Sequence, residues 1–162
     1  MEVKAPFYNV VNILLPGLVF IGASVLIFLD DFIDIAERII AIGSAGLEAL
    51  LTIAVLAIAY QVGYIIFRLG AMFIEPLLKK MFGWTSYGEF VEVQKAGRLD
   101  MLSREYAYAR THIALFIALA VMAGIRAHWI PMILCLLCVA LFALTARGHI
   151  KKIAITVNSY QK

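Results

Sequence analysis

The two cysteines are the first residues whose spacing could support chemistry. Cys135 and Cys138 form a Cys-x-x-Cys pair, which in other proteins marks a redox site or half of a zinc site. No second pair of Cys or His residues has metal-ligand spacing, and the residues around this pair are apolar. Because a free cysteine behaves as a small hydrophobic side chain, we predict that the pair serves packing.

The histidines and glycines show no catalytic pattern either. His112, His128 and His149 lack the spacing of a zinc-binding helix, and the topology derived below places His128 on the opposite side of the membrane from the other two. The sequence contains no glycine-rich phosphate loop and no Gly-x-Ser-x-Gly motif. We therefore predict a non-enzymatic protein with no catalytic residues, no metal site and no cofactor.

The composition indicates which kind of fold positions the remaining polar residues. Of the 162 residues, 64% are hydrophobic and 15% are charged, against roughly 45–50% and 25% in soluble domains. A soluble protein of this length could not bury so much apolar surface, whereas a lipid bilayer accommodates it. The net charge of +3 is too small to indicate direct binding of nucleic acid. The composition thus predicts an all-α integral membrane protein.

Four apolar runs are long enough to form membrane spans, since about 20 helical residues cross the ~30 Å hydrocarbon core. The second run exceeds one crossing, and counting back from Arg68 places its far end near Glu48. The third run is short, so its helix must include the turn before His112. The predicted four-helix arrangement has spans at about 10–29, 47–67, 106–125 and 129–146.

The only sizeable polar stretch covers residues 69–105, between the second and third spans. Within it, Ala71–Phe82 combines apolar residues with Lys79 and Lys80, as an interfacial helix does. With fewer than about 40 residues, this small helical layer has little core of its own. It must therefore pack on the membrane, on copies of itself or on a partner.

Local signals place two helix ends within that layer. Ser86 and Glu89 have the spacing of a capping box, which predicts a short helix over Tyr87–Lys95 that stops near Gly97. Asp100 is a plausible cap for the next helix, which would run into the third span without a break.

The distribution of Lys and Arg predicts the orientation in the membrane. With four spans, the amino terminus, the 68–110 segment and the basic tail 147–162 share one side. That side carries twelve of the fourteen Lys and Arg residues, and the other carries only Arg38 and Arg126. Because Lys and Arg concentrate in cytoplasmic loops, we predict that both termini lie in the cytoplasm and the acidic Asp30–Glu37 loop lies outside.

Few polar residues fall inside the predicted spans. Glu48 and Gln61 are candidates for a pore or ion site, because a carboxylate deep in a membrane is a functional hypothesis by default. Glu48 also fits a position at the outer surface. Gln61, Tyr64 and Arg68 share one helical face, which would line an aqueous path or form a hydrogen-bonded interfacial belt. A small transporter is a third interpretation, although the first span contains no carboxylate.

Small residues recur at the spacing that lets membrane helices approach closely. Such spacing serves packing within one chain or between copies, and a ring of copies could enclose a pore. The small residues concerned are Gly43, Gly46 and Ala49, the pair Ala114 and Ala118, and the pair Ala120 and Gly124.

Three stretches carry a resemblance to a known group of proteins: Asn12–Phe20, Tyr60–Arg68 running on to Ile74–Leu78, and Leu102–Tyr106 with Arg110. They resemble small four-span inner-membrane proteins of bacterial antiphage defence operons, such as the membrane subunit of the Kiwa system. The resemblance covers most of the chain and marks no catalytic site. It implies an oligomeric membrane component that senses damage or injection, or depolarises the membrane, and works with a soluble partner.

Together these features predict a homo-oligomeric sensor or scaffold that couples the membrane to a soluble cytoplasmic protein. A channel or pore-forming effector is the alternative. The expected partners are membrane lipids, further copies of the chain and the soluble protein, without direct contact to nucleic acid. The residues predicted to bind the partner or lipids are Arg68, Lys79, Lys80, Arg98, Arg104 and Arg110.

Overall fold

All regular secondary structure in the computed structural model is helical, over the described residues 4–28, 33 and 45–160. The predicted all-α class is confirmed. Apart from Ile33, the acidic Asp30–Glu37 loop lies outside the described residues, as does Gly43. In chain order the elements are α1 (Lys4–Ile27), α2 (Ala45–Leu69), a π-helical segment (Gly70–Ile74), α3 (Glu75–Phe82), α4 (Tyr87–Lys95), α5 (Asp100–Ile125) and α6 (Trp129–Tyr160).

Four of the described helical stretches are long and apolar enough to cross a membrane. They are Val10–Ile27, Glu48–Phe82, Asp100–Ile125 and Trp129–Tyr160. The expectation of a multi-pass membrane protein with four transmembrane helices is therefore met by length and composition.

The second of these stretches differs from its predicted extent. The helix does not end at Phe67 but continues through the π-helical segment into α3. Pro76, the second residue of α3, explains the change of helix type, because proline has no N–H and its ring crowds the carbonyl four residues earlier. Just before it, the Glu75 N–H donates to the Gly70 carbonyl, an i to i−5 bond that relieves this crowding.

The short helix α4 forms as its local signals predict. The Ser86 hydroxyl accepts a hydrogen bond from the Glu89 N–H at 3.4 Å, as an N-cap does. Gly97 has a φ of 73°, a left-handed conformation that glycine adopts without strain. α5 begins at Asp100, so the connection between the two helices is short.

The described residues divide into two compact units. Unit 1 consists of the described parts of 1–66 and 118–135, and unit 2 of the described parts of 67–117 and 136–162. The boundaries between the units fall inside α2, α5 and α6.

In unit 1, α1 and α2 make a backbone-to-backbone contact at two buried glycines. A Cβ atom added to Gly17 would collide with the Ala59 carbonyl oxygen, and one added to Gly63 would collide with the Ile13 carbonyl oxygen. Pro16, beside the first glycine, is fully buried as well. Such close approach is how membrane helices gain dispersion energy without a hydrophobic driving force.

The turn between α5 and α6, also in unit 1, is a Schellman motif. The His128 N–H donates to the Ala123 carbonyl at 2.8 Å, and the Ala127 N–H donates to the Gly124 carbonyl at 3.0 Å. Ala127 takes the left-handed position, with a φ of 55°. These bonds satisfy carbonyls at the end of α5 and allow α6 to start two residues later at Trp129.

Unit 2 has a hydrophobic core to which α3, α4, α5 and α6 contribute. α3 provides Leu78 and α4 provides Val93, while α5 provides a row of side chains that includes Tyr106. The described part of the predicted basic tail, 147–160, is the end of α6, and its apolar residues repeat on one helical face toward this core. The core residues of α6 are Ala146, Ile150, Ile153 and Val157.

The glycine contact in unit 1 generates a stability prediction. We expect Gly17→Ala to lower the melting temperature in mild detergent, because the new methyl group must push α1 away from α2. Overpacking of this kind costs about 1–3 kcal/mol, and each kcal/mol corresponds to about 2–4 °C for a chain of this size. Gly22→Ala, on the same helix with no atom near the new Cβ, is the matched control. Equal melting temperatures for the two variants would contradict the contact.

Candidate functional site: a charged centre and its cavity

A carboxylate in unit 2 binds two cations that are far apart in the sequence. Glu75, the first residue of α3, pairs through Oε1 with the Lys79 ammonium group at 2.6 Å. Its other oxygen, Oε2, accepts a hydrogen bond from the Arg110 guanidinium group of α5. These three side chains form what we call the charged centre, with one more positive than negative charge.

The Arg110 side chain is buried, with 8% of the residue exposed. A buried guanidinium group is costly unless it is paired, and Glu75 supplies the pairing. Its central carbon also lies 5.2 Å from the centre of the Phe67 ring, a cation–π distance. The sequence predicts that Arg110 binds the partner or lipids, and the structure holds it inside unit 2, paired with Glu75.

The π-helical segment brings Glu75 to this position. A π turn contains one more residue than an α turn, so the helix that follows is rotated by about 100° relative to an uninterrupted α-helix. The segment also passes close to α5, since a Cβ at Gly70 would lie 3.3 Å from the Arg110 carbonyl oxygen. The absence of a side chain at Gly70 therefore allows the two helices to approach where the ion pair forms.

A cavity of about 190 Å³ adjoins the charged centre. One wall is aromatic: the Trp84 ring lies 5.4 Å from Phe90 and 5.5 Å from Tyr106, centre to centre. The Lys79 ammonium group lies 4.4 Å from the centre of the Trp84 ring. The residues lining the cavity are Glu75, Lys79, Trp84, Tyr87, Phe90, Ser103, Tyr106, Ala107, Arg110 and Ile153.

Three polar atoms of cavity-lining residues are buried without a hydrogen-bond partner. They are the Ser103 hydroxyl, the Tyr106 hydroxyl and Nε of Arg110. Such atoms cost about 1–3 kcal/mol each when they stay unsatisfied. Proteins therefore keep them mainly where they serve a function or where a bound molecule completes their hydrogen bonds.

The remaining predicted site residues are not members of the charged centre. Lys80 and Arg98 are exposed, and the Arg98 guanidinium carbon lies 5.5 Å from the Tyr160 ring centre. Arg68 is exposed and Arg104 is partly buried, and each has an interaction within the protein. The two pore candidates, Glu48 and Gln61, are exposed on α2 in unit 1.

Among the described residues, the histidines and cysteines do not combine into a metal-binding group. His112 is buried between aromatic rings, 3.9 Å from Tyr108 and 4.9 Å from Phe142, centre to centre. His149 Nδ1 lies 3.3 Å from a Glu105 oxygen, at ion-pair distance but without hydrogen-bond alignment. Within the described ranges no group of three or more His, Cys, Asp or Glu residues is placed to hold a metal ion.

Sequence reasoning missed several residues of this site although three of them, Glu75, Ser103 and Tyr106, carry a spacing signal. Glu75 precedes Lys79 by four residues, the separation at which helical side chains pair. Ser103, Tyr106 and Arg110 are spaced i, i+3 and i+7, which places them on one face of α5. The pairing of Glu75 with Arg110 has no such signal, because it depends on how α3 and α5 pack.

The charged centre makes a prediction about stability. We expect Glu75→Ala to destabilise the protein by up to about 3–5 kcal/mol, because it leaves the Arg110 charge buried and unpaired. The double variant Glu75→Leu/Arg110→Met removes both charges and should recover most of that loss. Thermal unfolding of both variants in mild detergent measures the difference.

Glu92→Ala is the control for this comparison, because Glu92 is exposed on α4. A surface change of this kind is expected to stay within about 0.5 kcal/mol. A double variant as unstable as Glu75→Ala would show that packing, not charge pairing, accounts for the effect.

No family model, curated protein or solved structure matches this chain. The resemblance to antiphage membrane proteins therefore stays a prediction from the three sequence stretches. The charges, burial and packing of the described residues are the basis for the function proposed next.

Proposed function

We propose that the chain is a non-enzymatic, homo-oligomeric protein of the bacterial inner membrane that couples the membrane to a soluble cytoplasmic partner, in antiphage defence. Both termini and unit 2 would face the cytoplasm, as the Lys and Arg distribution favours. The observation that supports this proposal best is that unit 2 combines a hydrophobic core with an excess of positive charge.

The charge of unit 2 favours an acidic partner. Its described residues include ten Lys or Arg and five Asp or Glu, and its α6 portion has Arg147, Lys151 and Lys152 without any acidic residue. Of the acidic residues, Glu75 is already paired within the charged centre. Complementary charge raises association rates and excludes wrong partners. We define the basic surface as the exposed residues Lys80, Arg98, Lys151 and Lys152.

Exposed side chains of the polar layer add the kind of contact that protein interfaces use. Tyr87 is 78% exposed, Met101 is 72% exposed and Met81 is 63% exposed. Tyr and Met are enriched in protein–protein interfaces, where they supply apolar contact area. Together with the basic surface, these side chains favour a protein partner over binding to lipid alone.

The proposal of a homo-oligomer has support in unit 1. Gln61 is exposed on α2, within a stretch long and apolar enough to cross the membrane. An amide facing hydrocarbon leaves its polar groups unsatisfied, whereas a second copy of the chain could hydrogen-bond to it. The same observation favours a channel as the second candidate function, in which Gln61 and Glu48 would face a central path.

The partner proposal predicts a charge-dependent complex. From the native host, the chain purified in mild detergent should carry a stoichiometric acidic soluble protein. Reversal of the basic surface by Lys80→Glu, Lys151→Glu and Lys152→Glu should remove that protein, because like charges would face each other. Mass measurement of the intact complex, with identification of its proteins, checks both points.

The matched control carries Arg at the same three positions, which keeps the charge. It should retain the partner and the protection against phage that the reversed variant loses. A protein that purifies without any soluble partner, or a reversed variant that keeps the partner, would contradict the proposal.

The oligomer and channel candidates are separated by changes at Gln61. We expect Gln61→Leu to weaken the oligomer about threefold to thirtyfold, since an interhelical hydrogen bond in membranes contributes roughly 0.6–2 kcal/mol. Val55→Ala, at an exposed position about 120° around α2 from Gln61, is the control. Dilution in detergent measures the oligomer, and ion flux into liposomes tests conduction. Flux that depends on Gln61 and Glu48 would favour the channel, and an unchanged oligomer in Gln61→Leu would contradict this interface.

A further inference from the structure

The cavity of unit 2 has the features of a ligand site rather than a packing defect. We infer that it binds a phosphate oxyanion, with the phosphodiester of an anionic phospholipid headgroup as the favoured source. The inference stands on the unpartnered polar atoms, the net charge and the aromatic wall of the cavity. It does not require the soluble partner.

The first step concerns the hydrogen-bond donors of the residues that line the cavity. Tyr106 is 4% exposed and Arg110 is 8% exposed, yet the Tyr106 hydroxyl and Arg110 Nε have no partner within the protein. Ser103, one turn before Tyr106 on α5, adds a third unpartnered group. These residues all line the cavity, and a guanidinium N–H with two hydroxyls is a donor set of the kind that binds an oxyanion.

The second step concerns the net charge of the residues at the cavity. Lys79 and Arg110 provide two positive charges at the cavity, and Glu75 offsets one of them. The balance suits an anion with a single charge, since a ligand of that charge leaves the buried site neutral. A phosphodiester carries one negative charge.

The third step separates phosphate from carboxylate. A cavity volume of about 190 Å³ leaves room for a group larger than a carboxylate. The site also offers a fourth donor, the Lys79 ammonium group. Four donor groups and this much space suit the bulkier tetrahedral phosphate group better than a planar carboxylate.

The fourth step concerns the source of the phosphate. Trp84, Phe90 and Tyr87 line the cavity, and Tyr87 is largely exposed. An aromatic wall with an open edge fits the apolar part of an esterified phosphate, and Trp and Tyr concentrate at membrane interfaces. The sequence also places the cytoplasmic end of the third span at residue 106, within the cavity. These features favour a lipid headgroup over free phosphate.

The chain carries a reporter for the test. It has two tryptophans, of which Trp84 lines the cavity and Trp129 lies in unit 1. A Trp129→Phe background therefore makes the intrinsic fluorescence a signal from Trp84 alone. The purified full-length protein in neutral detergent would be titrated with short-chain phosphatidylglycerol, glycerol phosphate, inorganic phosphate and acetate as separate probes.

We expect phosphatidylglycerol to change the Trp84 emission in a saturable way and to raise the melting temperature. Tyr106→Phe, which removes only the hydroxyl, should weaken binding about tenfold, because one hydrogen bond to a charged group is lost. The same change removes an unsatisfied buried hydroxyl, so the unliganded variant should be at least as stable as the parent. Tyr60→Phe, on α2 in unit 1, should leave binding unchanged.

Each result decides one point. Binding of phosphatidylglycerol alone supports the lipid source, and equal binding of glycerol phosphate or inorganic phosphate supports an oxyanion site with a soluble source. Acetate binding as tight as the phosphates would overturn the assignment to phosphate. If no probe changes the Trp84 signal, or if Tyr106→Phe binds like the parent, the cavity holds water only and the inference fails.

Discussion

A guanidinium group that leaves water has to be paired, and in unit 2 this requirement falls on Arg110. Its partner, Glu75, comes from a different helix, so the ion pair holds α3 against α5. That geometry depends on the π-helical segment, which rotates α3, and on Gly70, which has no side chain where α5 passes. Pro76 favours the π turn by withholding one backbone donor. The Glu75–Arg110 pair thus depends on the π-helical segment and on the approach of Gly70 to α5, and both of its members line the cavity.

The core of unit 2 shows how a polar layer too small to fold alone gains its stability. A helix that crosses hydrocarbon satisfies its own backbone groups and continues as a rigid element beyond the apolar run. α6 does so as far as Tyr160, and its last turns present Ile150, Ile153 and Val157 to the layer. Lys151 and Lys152 lie on the exposed side of the same turns. The basic tail therefore carries charges that predict the orientation, and it also packs its apolar face against the core of unit 2.

Local signals were readable from the sequence, and contacts between distant residues were not. The apolar runs, the Ser86 cap and the Gly97 stop act over a few residues, and the structure has helices where they predict them. Arg68 marks the predicted end of a membrane span, because charges mark membrane boundaries, and the helix continues past it because its backbone bonds do not depend on that side chain. Gly17 meets Gly63, and Glu75 meets Arg110, only after the helices pack.

The charged centre connects the two proposals physically. An oxyanion in the cavity would share Lys79 and Arg110 with Glu75 and so weaken the Glu75 contacts, because all of these residues line the same space. Weakening the Glu75 contacts would loosen α3 from α5, and α3 carries Lys80 of the basic surface and the exposed Met81. A ligand shifts an equilibrium between two states, here α3 held against α5 and α3 loosened from it, only if its affinity for the two states differs. The ion pair supplies such a difference, because its contacts are stronger without the oxyanion than with it. Headgroup binding and partner binding would therefore be coupled through the Glu75 carboxylate.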